Sequence, residues 1–496
     1  MALLLVAAAA AAVGETSPTA LLPHRVNVFK LQHAATAALA PSFPGSAGSA
    51  LLMTTFGPIG EDKVIAFPSV GDLLRSGSVP KPVTLDAAAK WPNMAAFVPA
   101  GRAGPLPAVL EASGFFVSPA KATGEVALLD LARPPSAPRK TKISTDKSGW
   151  FYHEARWLDV NGDDRLDVVA ARANKPLFGA SHSELVAFIQ PMPSFGGSLD
   201  FPVPIAEEGC MAQLTQDGCS PSAGSSMTCD ACAGAHQSNL RAAGCTSAFI
   251  KSFCAGSAAW VEQVLTSGGK GPGVGFALVD LDGDNKTQVV ASQFFARQDL
   301  SIWWCDQQHW SGCAANGTDP SDIANARSVV IDVDPDHAPF FSVSWQDLNG
   351  DGKKDLLATT NEANGRGGVF AYEQPTGDWR SQKWVKHTLA TGYKPTMPFL
   401  PGRGSPGTAH PFFVNATSQQ QKGQRPSILV SADDGGFVDL LTPVGPAGSW
   451  TFEKRRVVNS TGTIGTLAVG DFNGDGLSDF AVPLYAENKV ALYTFA

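Results

Sequence analysis

The stretch that decides the fold of this 496-residue chain runs Asp347-Leu-Asn-Gly-Asp-Gly-Lys-Lys-Asp355. Its oxygen-bearing side chains stand at positions one, three, five and nine, and position seven can add a backbone carbonyl. Ca²⁺ prefers several hard oxygen ligands and tolerates uneven coordination geometry. The stretch therefore predicts a calcium-binding loop.

The same nine-residue pattern begins again at Asp159, Asp280 and Asp471, and in every copy positions one and five are Asp and position four is Gly. Position six is Gly, Asp or Asn, the residue types that accept a left-handed backbone, which a chain wrapping an ion needs. The copy at Asp280 ends in neutral Gln288 where the other three copies end in Asp, which makes it the weakest match to the pattern. We expect three to four Ca²⁺ ions. Their predicted ligands, with position seven acting through its carbonyl, are Asp159, Asn161, Asp163, Arg165 and Asp167; Asp280, Asp282, Asp284, Lys286 and Gln288; Asp347, Asn349, Asp351, Lys353 and Asp355; and Asp471, Asn473, Asp475, Leu477 and Asp479.

These loops are not EF-hands, because the Glu that an EF-hand needs at position twelve is replaced by Ala or Val in every copy. Each loop also lies between short apolar runs typical of strands, such as the run that follows Asp355. Strand, calcium loop and strand, repeated along a chain, resembles the FG-GAP/VCBS repeat family. That resemblance implies the β-propeller of integrin α-chain heads and of many secreted or surface proteins.

The spacing of strand-like runs predicts an all-β propeller over residues 24–496 with seven blades, and six or eight blades are the alternatives. Four blades carry the calcium loops, and two blades without loops precede Asp159, around residues 50–67 and 108–129. A seventh, around residues 427–442, is interpreted as a blade whose calcium loop has decayed to the turn at Asp433. The run His24–Leu31 has no blade of its own. We expect it to complete the last blade beside residues 489–495, with Val26, Val28 and Leu31 facing inward.

Composition and termini favour an exported protein. Residues 1–14 are typical of a signal peptide, and no later apolar run approaches the ~20 residues of a membrane span. The net charge of −8 without a basic stripe argues against nucleic acid as a partner. Sequons predict N-glycans at Asn316, Asn415 and Asn459, whereas the sequon at Asn285 lies inside a predicted calcium loop and is not expected to be used.

Six of the eight cysteines lie in residues 207–257, which interrupt one blade as a predicted small helical insertion. In an exported chain the default state of an even set of cysteines is disulfide-bonded. Two antiparallel helices, at 233–244 and 246–253, would give nested pairs. We predict Cys229–Cys254 and Cys232–Cys245, with Cys210–Cys219 and Cys305–Cys313 each closing a loop. The alternative is a zinc site formed by Cys229, Cys232, His236 and Cys245.

The sequence restricts the possible functions less than it restricts the possible folds. No nucleophile elbow, zinc-protease motif or phosphate-binding glycine loop is present, and catalytic residues cannot be assigned. Trp303, Trp304 and Trp310 could stack on sugars, but packing within a blade is the preferred interpretation. The main prediction is a secreted or cell-surface binding or adhesion module for an extracellular protein or glycan. The alternative is a carbohydrate-active enzyme of the polysaccharide lyase or sugar dehydratase type. The resemblance allows it, because calcium-binding propellers of this kind also occur in some enzymes of those two types.

Overall fold

Seven antiparallel sheets form the molecule in the computed structural model. Neighbouring strands along the chain pair as hairpins in each sheet, from an inner first strand to an outer fourth strand. The protein is a seven-bladed β-propeller. The structure describes residues 22–46, 48–60, 62–77, 81–99, 107–131, 139–145, 147–176, 178–191, 210, 213–214, 216–219, 226–243, 245, 250, 260–266, 271–316, 324–334, 338–400, 402–416 and 423–496.

The first three blades precede the second acidic loop. Blade 1 also carries a short helix, α1 (Val70–Ser76), between its third and fourth strands. Blade 1 consists of β2 (Ala34–Ala40), β3 (Ala50–Thr55), β4 (Lys63–Phe67) and β5 (Val83–Asp86); blade 2 of β6 (Pro92–Val98), β7 (Ala108–Ser113), β8 (Val126–Asp130) and β9 (Arg139–Lys142); and blade 3 of β10 (Trp150–Leu158), β11 (Asp167–Asn174), β12 (His182–Ile189) and β13 (Val261–Val264).

The remaining blades follow the same order, and the short strand β17 (Ala315–Asn316) adds to the outer edge of blade 3. Blade 4 consists of β14 (Phe276–Val279), β15 (Gln288–Ser292), β16 (Asp299–Trp304) and β18 (Arg327–Val333); blade 5 of β19 (Phe340–Gln346), β20 (Asp355–Thr360), β21 (Gly367–Glu373) and β22 (Val385–Tyr393); blade 6 of β23 (Ala409–Phe412), β24 (Ser427–Ser431), β25 (Phe437–Pro443) and β26 (Phe452–Asn459); and blade 7 of β27 (Ala468–Gly470), β28 (Asp479–Leu484), β29 (Lys489–Thr494) and β1 (His24–Lys30).

The sequence forms strands of two kinds because the blades pack face to face. Second strands such as β3 and β20 are buried at every position, since both of their faces are covered by neighbouring blades. Fourth strands such as β18 are mostly exposed or half-buried. Between each pair of adjacent blades lies a separate apolar core, and the cores continue around the ring from blade 1 to blade 7.

The ring closes through the N-terminal strand. β1 pairs antiparallel with β29, the arrangement expected from the sequence, and Phe29 packs against Phe67 of blade 1 at 4.9 Å between ring centroids. The expected inward residues were partly wrong. Val26 and Leu31 pack on the core, but Val28 is 38% exposed and Phe29 takes the inward position. The cause is a bulge between Arg25 and Asn27, which changes the face that each later side chain occupies.

The interpretation of residues 427–442 as a first and second strand with a decayed loop was wrong. These residues are the second and third strands of blade 6, and Asp433 lies in the turn between them. The first strand is β23, which the sequence conceals because it is short and contains His410 and Pro411. The turn at Asp433 therefore lies on the opposite face of the propeller from the four acidic loops.

Two predicted disulfides in the insertion were also wrong. The bonds are Cys210–Cys245 and Cys219–Cys232, instead of Cys210–Cys219 and Cys232–Cys245. Leu214 is fully buried in the insertion's small core, where Cys210, Leu214 and Cys219 pack with residues of the helices α2 (Ser226–Ala235) and α3 (Gln237–Ala242). These bonds also rule out the zinc alternative, because they consume two of its thiolates.

The other disulfide predictions have different outcomes. Cys305–Cys313 is confirmed. Cys229 is disulfide-bonded, but its predicted partner Cys254 lies outside the described residues. The predicted signal peptide at 1–14 also lies outside them, as does most of the predicted second helix of the insertion at 246–253. In the part of the chain that the structure describes, no helix has the length and apolar character needed to cross a membrane.

Removing the ring of Phe29 should weaken ring closure. We expect Phe29→Ala to lower the free energy of unfolding by about 3 to 4 kcal/mol, because the side chain is buried between blades 7 and 1. Val28→Ala, its exposed neighbour, should change it by less than about 0.5 kcal/mol. Urea denaturation of both variants measures this, and equal effects would show that β1 does not close the ring through its buried face.

Candidate functional site: acidic loops on one face, an aromatic belt on the other

The four acidic loops all lie on one face of the propeller, here called the loop face. Each joins the first strand of a blade to the second, in blades 3, 4, 5 and 7. Connections between third and fourth strands emerge on the same face. They include the cysteine-rich insertion of blade 3 and the Cys305–Cys313 segment of blade 4. The disulfide-bonded segments and the predicted calcium loops are therefore neighbours.

Each loop is wrapped around its own position-one and position-five carboxylates. In blade 5, Asp347 Oδ1 accepts the Gly350 N–H at 2.6 Å and Oδ2 accepts the Gly352 N–H at 2.9 Å. Asp351 Oδ1 accepts the Lys353 N–H at 2.7 Å. The other three loops repeat these bonds at equivalent positions. The repeated sequence therefore builds one repeated geometry.

The expected left-handed backbone at position six is confirmed. Its φ is 62° at Asp164, 63° at Asn285, 92° at Gly352 and 85° at Gly476. These are the conformations that Gly, Asn and Asp adopt at the lowest cost.

Position nine places a buried carboxylate beneath three of the loops. Burial raises the pKa of Asp167 to about 7, of Asp355 to about 8 and of Asp479 to about 6, and the position-one and position-five carboxylates of the same loop raise it further. Oδ1 of Asp479 is buried without a hydrogen-bond partner. Crowded carboxylates of this kind are stabilised by a bound cation, so the residues present in these three loops fit calcium.

The loop of blade 4 departs from the other three. Asp282 at position three does not accept the N–H of position five, as Asn161, Asn349 and Asn473 do in their loops. Instead its carboxylate contacts Trp379 and Arg380 of blade 5. In blades 3, 5 and 7 the position-three side chain therefore bonds its own loop, whereas in blade 4 it bonds the next blade.

A different acidic group, between blades 1 and 2, already holds a cation of its own. Among the described residues, one set of three acidic side chains has oxygens that all lie within 4.8 Å of one another, and it consists of Asp86, Glu111 and Glu125. Lys140 Nζ lies 2.5 Å from Glu125 and 3.6 Å from Glu111, and it also forms an ion pair with Asp86. The lysine occupies the position that a metal would need, so this trio is a buried ion cluster.

The opposite face carries a chain of aromatic rings in contact, here called the aromatic belt. Each member lies at the start of a first strand or just after a second strand, and both positions emerge on this face. Successive ring centroids are 4.6 to 6.1 Å apart. Most of the rings are half-buried, which leaves an edge or face open to solvent. The belt consists of Tyr485, His33, Phe56, Trp91, Phe115, Phe116, Phe151, His153, Phe295, Phe294 and Phe341.

Two features of the belt set its chemistry. The ammonium of Lys175 lies over it, 4.8 Å from the Phe116 ring and 5.4 Å from the Phe295 ring. Burial lowers the pKa of His153 to about 4, so this histidine is a neutral part of the belt at physiological pH. The belt is therefore an aromatic surface with one cation at its rim.

A polar arc completes the circle on the same face, in blades 5 and 6. It consists of Asn361, Arg403, Asp433 and Asp434. Arg403 forms an ion pair with Asp434, and the Asn361 side-chain amide donates to Asp433 Oδ2 at 3.3 Å. Asp433 has a left-handed backbone, φ 50°, which is uncommon for a residue other than Gly and occurs often at functional sites. Hydrogen-bonding groups thus lie beside the aromatic rings.

Sequence reasoning missed the belt. The tryptophans considered for sugar stacking are elsewhere: Trp303 and Trp310 are buried in a blade, which confirms the packing interpretation for both. A usable signal was present, because an aromatic residue follows the second strand closely in blades 1, 2, 4 and 7 (Phe56, Phe115, Phe294 and Tyr485).

Comparison with known proteins adds little. No protein-family model and no curated protein matches the chain. The crystal structure of the V. cholerae biofilm matrix protein Bap1 is similar at 10% sequence identity over 96% of this chain and 91% of that one, with a TM-score of 0.32. A TM-score this low supports no inference about function. Membership of the FG-GAP/VCBS family stays a prediction from the four loops.

The buried ion cluster should give the protein a specific pH dependence. Burial raises the pKa of Glu111 to about 8, although the nearby Lys140 lowers it. Between the ordinary glutamate pKa and pH 8 the folded state holds a proton that the unfolded state has released. Stability is therefore lost as pH rises through this window, by about 1 kcal/mol per pH unit.

Glu111→Gln removes this titration. We expect the stability of the variant relative to wild type to increase between pH 5 and pH 8 and then level off, as measured by urea denaturation at several pH values. Glu453→Gln, an exposed side chain on β26, serves as the control and should follow wild type. A constant difference between Glu111→Gln and wild type would contradict a protonated Glu111.

Proposed function

We propose that the protein is an exported, calcium-stabilised β-propeller of the FG-GAP/VCBS type that binds a glycan on the face carrying the aromatic belt. The observation that carries the proposal is the belt itself. Rings from six blades lie in contact around one face, most of them half-buried, and an apolar patch that stays partly open to water often marks a binding site.

The chemistry of this face suits a carbohydrate. Aromatic side chains offer a flat apolar surface together with polar edges, and they cost little conformational entropy to use in binding. Sugar rings have apolar C–H faces that can stack on them and hydroxyls that need donors and acceptors. Arg403, whose side chain is 42% exposed, supplies a donor beside the belt, held in place by the buried Asp434. Burial raises the pKa of Tyr485, and Arg403 and Asp434 also influence it, so the belt and the polar arc adjoin at this residue.

Calcium would act from the loop face as a structural ion. Asp159, Asp347 and Asp471 with their partner residues would hold it, and it would neutralise carboxylates that otherwise repel one another. Each such loop joins the first and second strands of a blade, so ion binding would fix the inner hairpins that position the opposite face.

Export is supported by the cysteines. Disulfides persist in oxidising compartments and are rare in the reducing cytosol, and three are present in the described residues. Two predicted glycan acceptors, Asn415 and Asn459, are exposed. These features fit the N-terminal sequence expected of an exported chain.

A catalytic role is the second candidate, and Asp433 is the observation that favours it. Burial, followed by the charge of Asp434, raises the pKa of Asp433 well above its ordinary value. A protonated carboxyl on a ligand-binding face can act as a general acid. Asp433→Asn should then abolish turnover of a bound oligosaccharide and leave binding unchanged. Mass spectrometry of the recovered oligosaccharide tests this, and recovery of intact ligand from wild type would reject the enzyme.

Removal of calcium should lower the melting temperature. An ion that binds only the folded state stabilises it by about 2.7 kcal/mol per site at a hundredfold excess over Kd. We expect EDTA to lower the melting temperature clearly and added Ca²⁺ to restore it. Asp351→Ala should reduce this response, whereas Lys354→Ala, at a non-ligand position of the same loop, should preserve it. An identical melt in EDTA and in calcium would refute the calcium role.

The aromatic belt should be needed for ligand binding. On a glycan array in calcium, we expect wild type to bind a defined set of oligosaccharides and Phe115→Ala and Phe295→Ala to lose at least tenfold in affinity. Trp450→Ala is the matched control, because this tryptophan lies away from the belt. Its ring stacks on His387, with 4.1 Å between the two ring centroids. Circular dichroism confirms folding of each variant. Equal binding by the belt variants would place the ligand site elsewhere.

A further inference from the structure

The acidic loop of blade 4 differs from its three relatives at position three. In those loops an asparagine side chain points into the loop and accepts the N–H of position five, at 3.1 Å in blade 3 and 2.9 Å in blades 5 and 7. In blade 4 the position-five N–H of Asp284 bonds Asp280 instead, at 3.2 Å. Asp282 is thereby released from the loop.

The carboxylate of Asp282 is taken up by the next blade. Trp379 Nε1 donates to Oδ1 at 2.7 Å and Arg380 Nη2 donates to Oδ2 at 2.7 Å, so both carboxylate oxygens have partners. Arg380 is itself held in place, with its guanidinium carbon 4.1 Å from the centroid of the Trp379 ring. Trp379 is only 2% exposed and packs in the core between blades 4 and 5. The contact is therefore anchored by a fixed tryptophan.

The residue at position nine makes two more predicted calcium ligands unavailable, the position-nine carboxylate and the position-seven carbonyl oxygen. Gln288 replaces the aspartate, and its Oε1 accepts the Leu281 N–H at 2.7 Å, as an aspartate oxygen does in the other loops. Its Nε2 donates to the Lys286 carbonyl oxygen at 2.8 Å. That carbonyl is the predicted position-seven ligand. The side-chain N–H of Gln288 thus bonds the carbonyl oxygen that a calcium ion would otherwise use.

Charge supports the same conclusion. In each of the other loops position nine is a buried aspartate that shares the loop with the carboxylates of positions one and five. Gln288 is neutral, and the guanidinium of Arg380 balances Asp282 from outside the loop. Because Arg380 compensates Asp282 and position nine is neutral, a bound ion would have only the carboxylates of Asp280 and Asp284 left to neutralise in this loop.

We infer that Arg380 and Gln288 replace calcium in the loop of blade 4, so that the protein takes up three Ca²⁺ ions, in blades 3, 5 and 7. This inference rests on the proposed calcium role of the other loops. The inference also gives the blade 4 loop a different role. Its position-three carboxylate joins blade 4 to blade 5 instead of holding an ion within one blade.

Counting ions tests this directly. The full-length protein is stripped with EDTA, dialysed against buffered Ca²⁺ and measured by elemental analysis against protein concentration. We expect three ions in wild type, two in Asp351→Ala and three in Asp284→Ala, the matched change at position five of the blade 4 loop. Four ions in wild type with three in Asp284→Ala would overturn the inference alone. No bound ion in wild type would overturn the calcium role itself.

Melting temperatures provide a second readout should a variant lose stability. Asp284→Ala should lower the melting temperature by the same amount in EDTA and in calcium, whereas Asp351→Ala should lower it mainly in calcium. A calcium-specific loss in Asp284→Ala would overturn the inference.

Restoring the missing ligands should create a fourth site. Gln288→Asp combined with Arg380→Ala returns a position-nine carboxylate and frees Asp282 Oδ2 from the competing guanidinium, while Trp379 still bonds Oδ1, so we expect the count to rise from three to four. Gln288→Asp alone should stay at three, because Arg380 still holds Asp282. A fourth ion in the single variant, or none gained in the double variant, would overturn the role assigned to Arg380.

Discussion

Every blade of this propeller has two faces that must be covered, and this constraint governs the rest of the structure. The second strands are buried on both sides, so no blade can end the array without exposing apolar surface. A closed ring satisfies all blades at once. Closure then depends on β1 beside β29, because the chain would otherwise leave the last blade one strand short with an open edge.

The ring also separates two kinds of chemistry. Because strand order is the same in every blade, connections between first and second strands emerge on one face and those between second and third strands on the other. Acidic loops and disulfide-bonded segments gather on the loop face. Aromatic and hydrogen-bonding side chains gather opposite. Binding on one face can therefore change without disturbing the ion-dependent hairpins on the other.

How much the sequence could predict follows from where the information lies. The acidic loops are local, so nine consecutive residues were enough to predict the strands that flank them and the left-handed backbone at Gly352 and Asn285. The belt is not local: its members run from His33 to Tyr485, and only the ring brings them together. The disulfide pairing failed for a similar reason, since spacing alone cannot show that Leu214 packs with residues of the helices.

The blade 4 loop shows how a repeat can keep its shape and change its chemistry. Position one still bonds the backbone of positions four and six, and position nine still bonds position two, so the hairpin geometry survives without an aspartate at position nine. What determines ion binding is the set of oxygens left over after those bonds. In blade 4 the side chains of Gln288 and Arg380 donate hydrogen bonds to oxygens that would otherwise remain for an ion. A matching sequence pattern therefore predicts the fold of such a loop more firmly than its ion, because the competing donor, Arg380, lies 98 residues away from Asp282 in the chain.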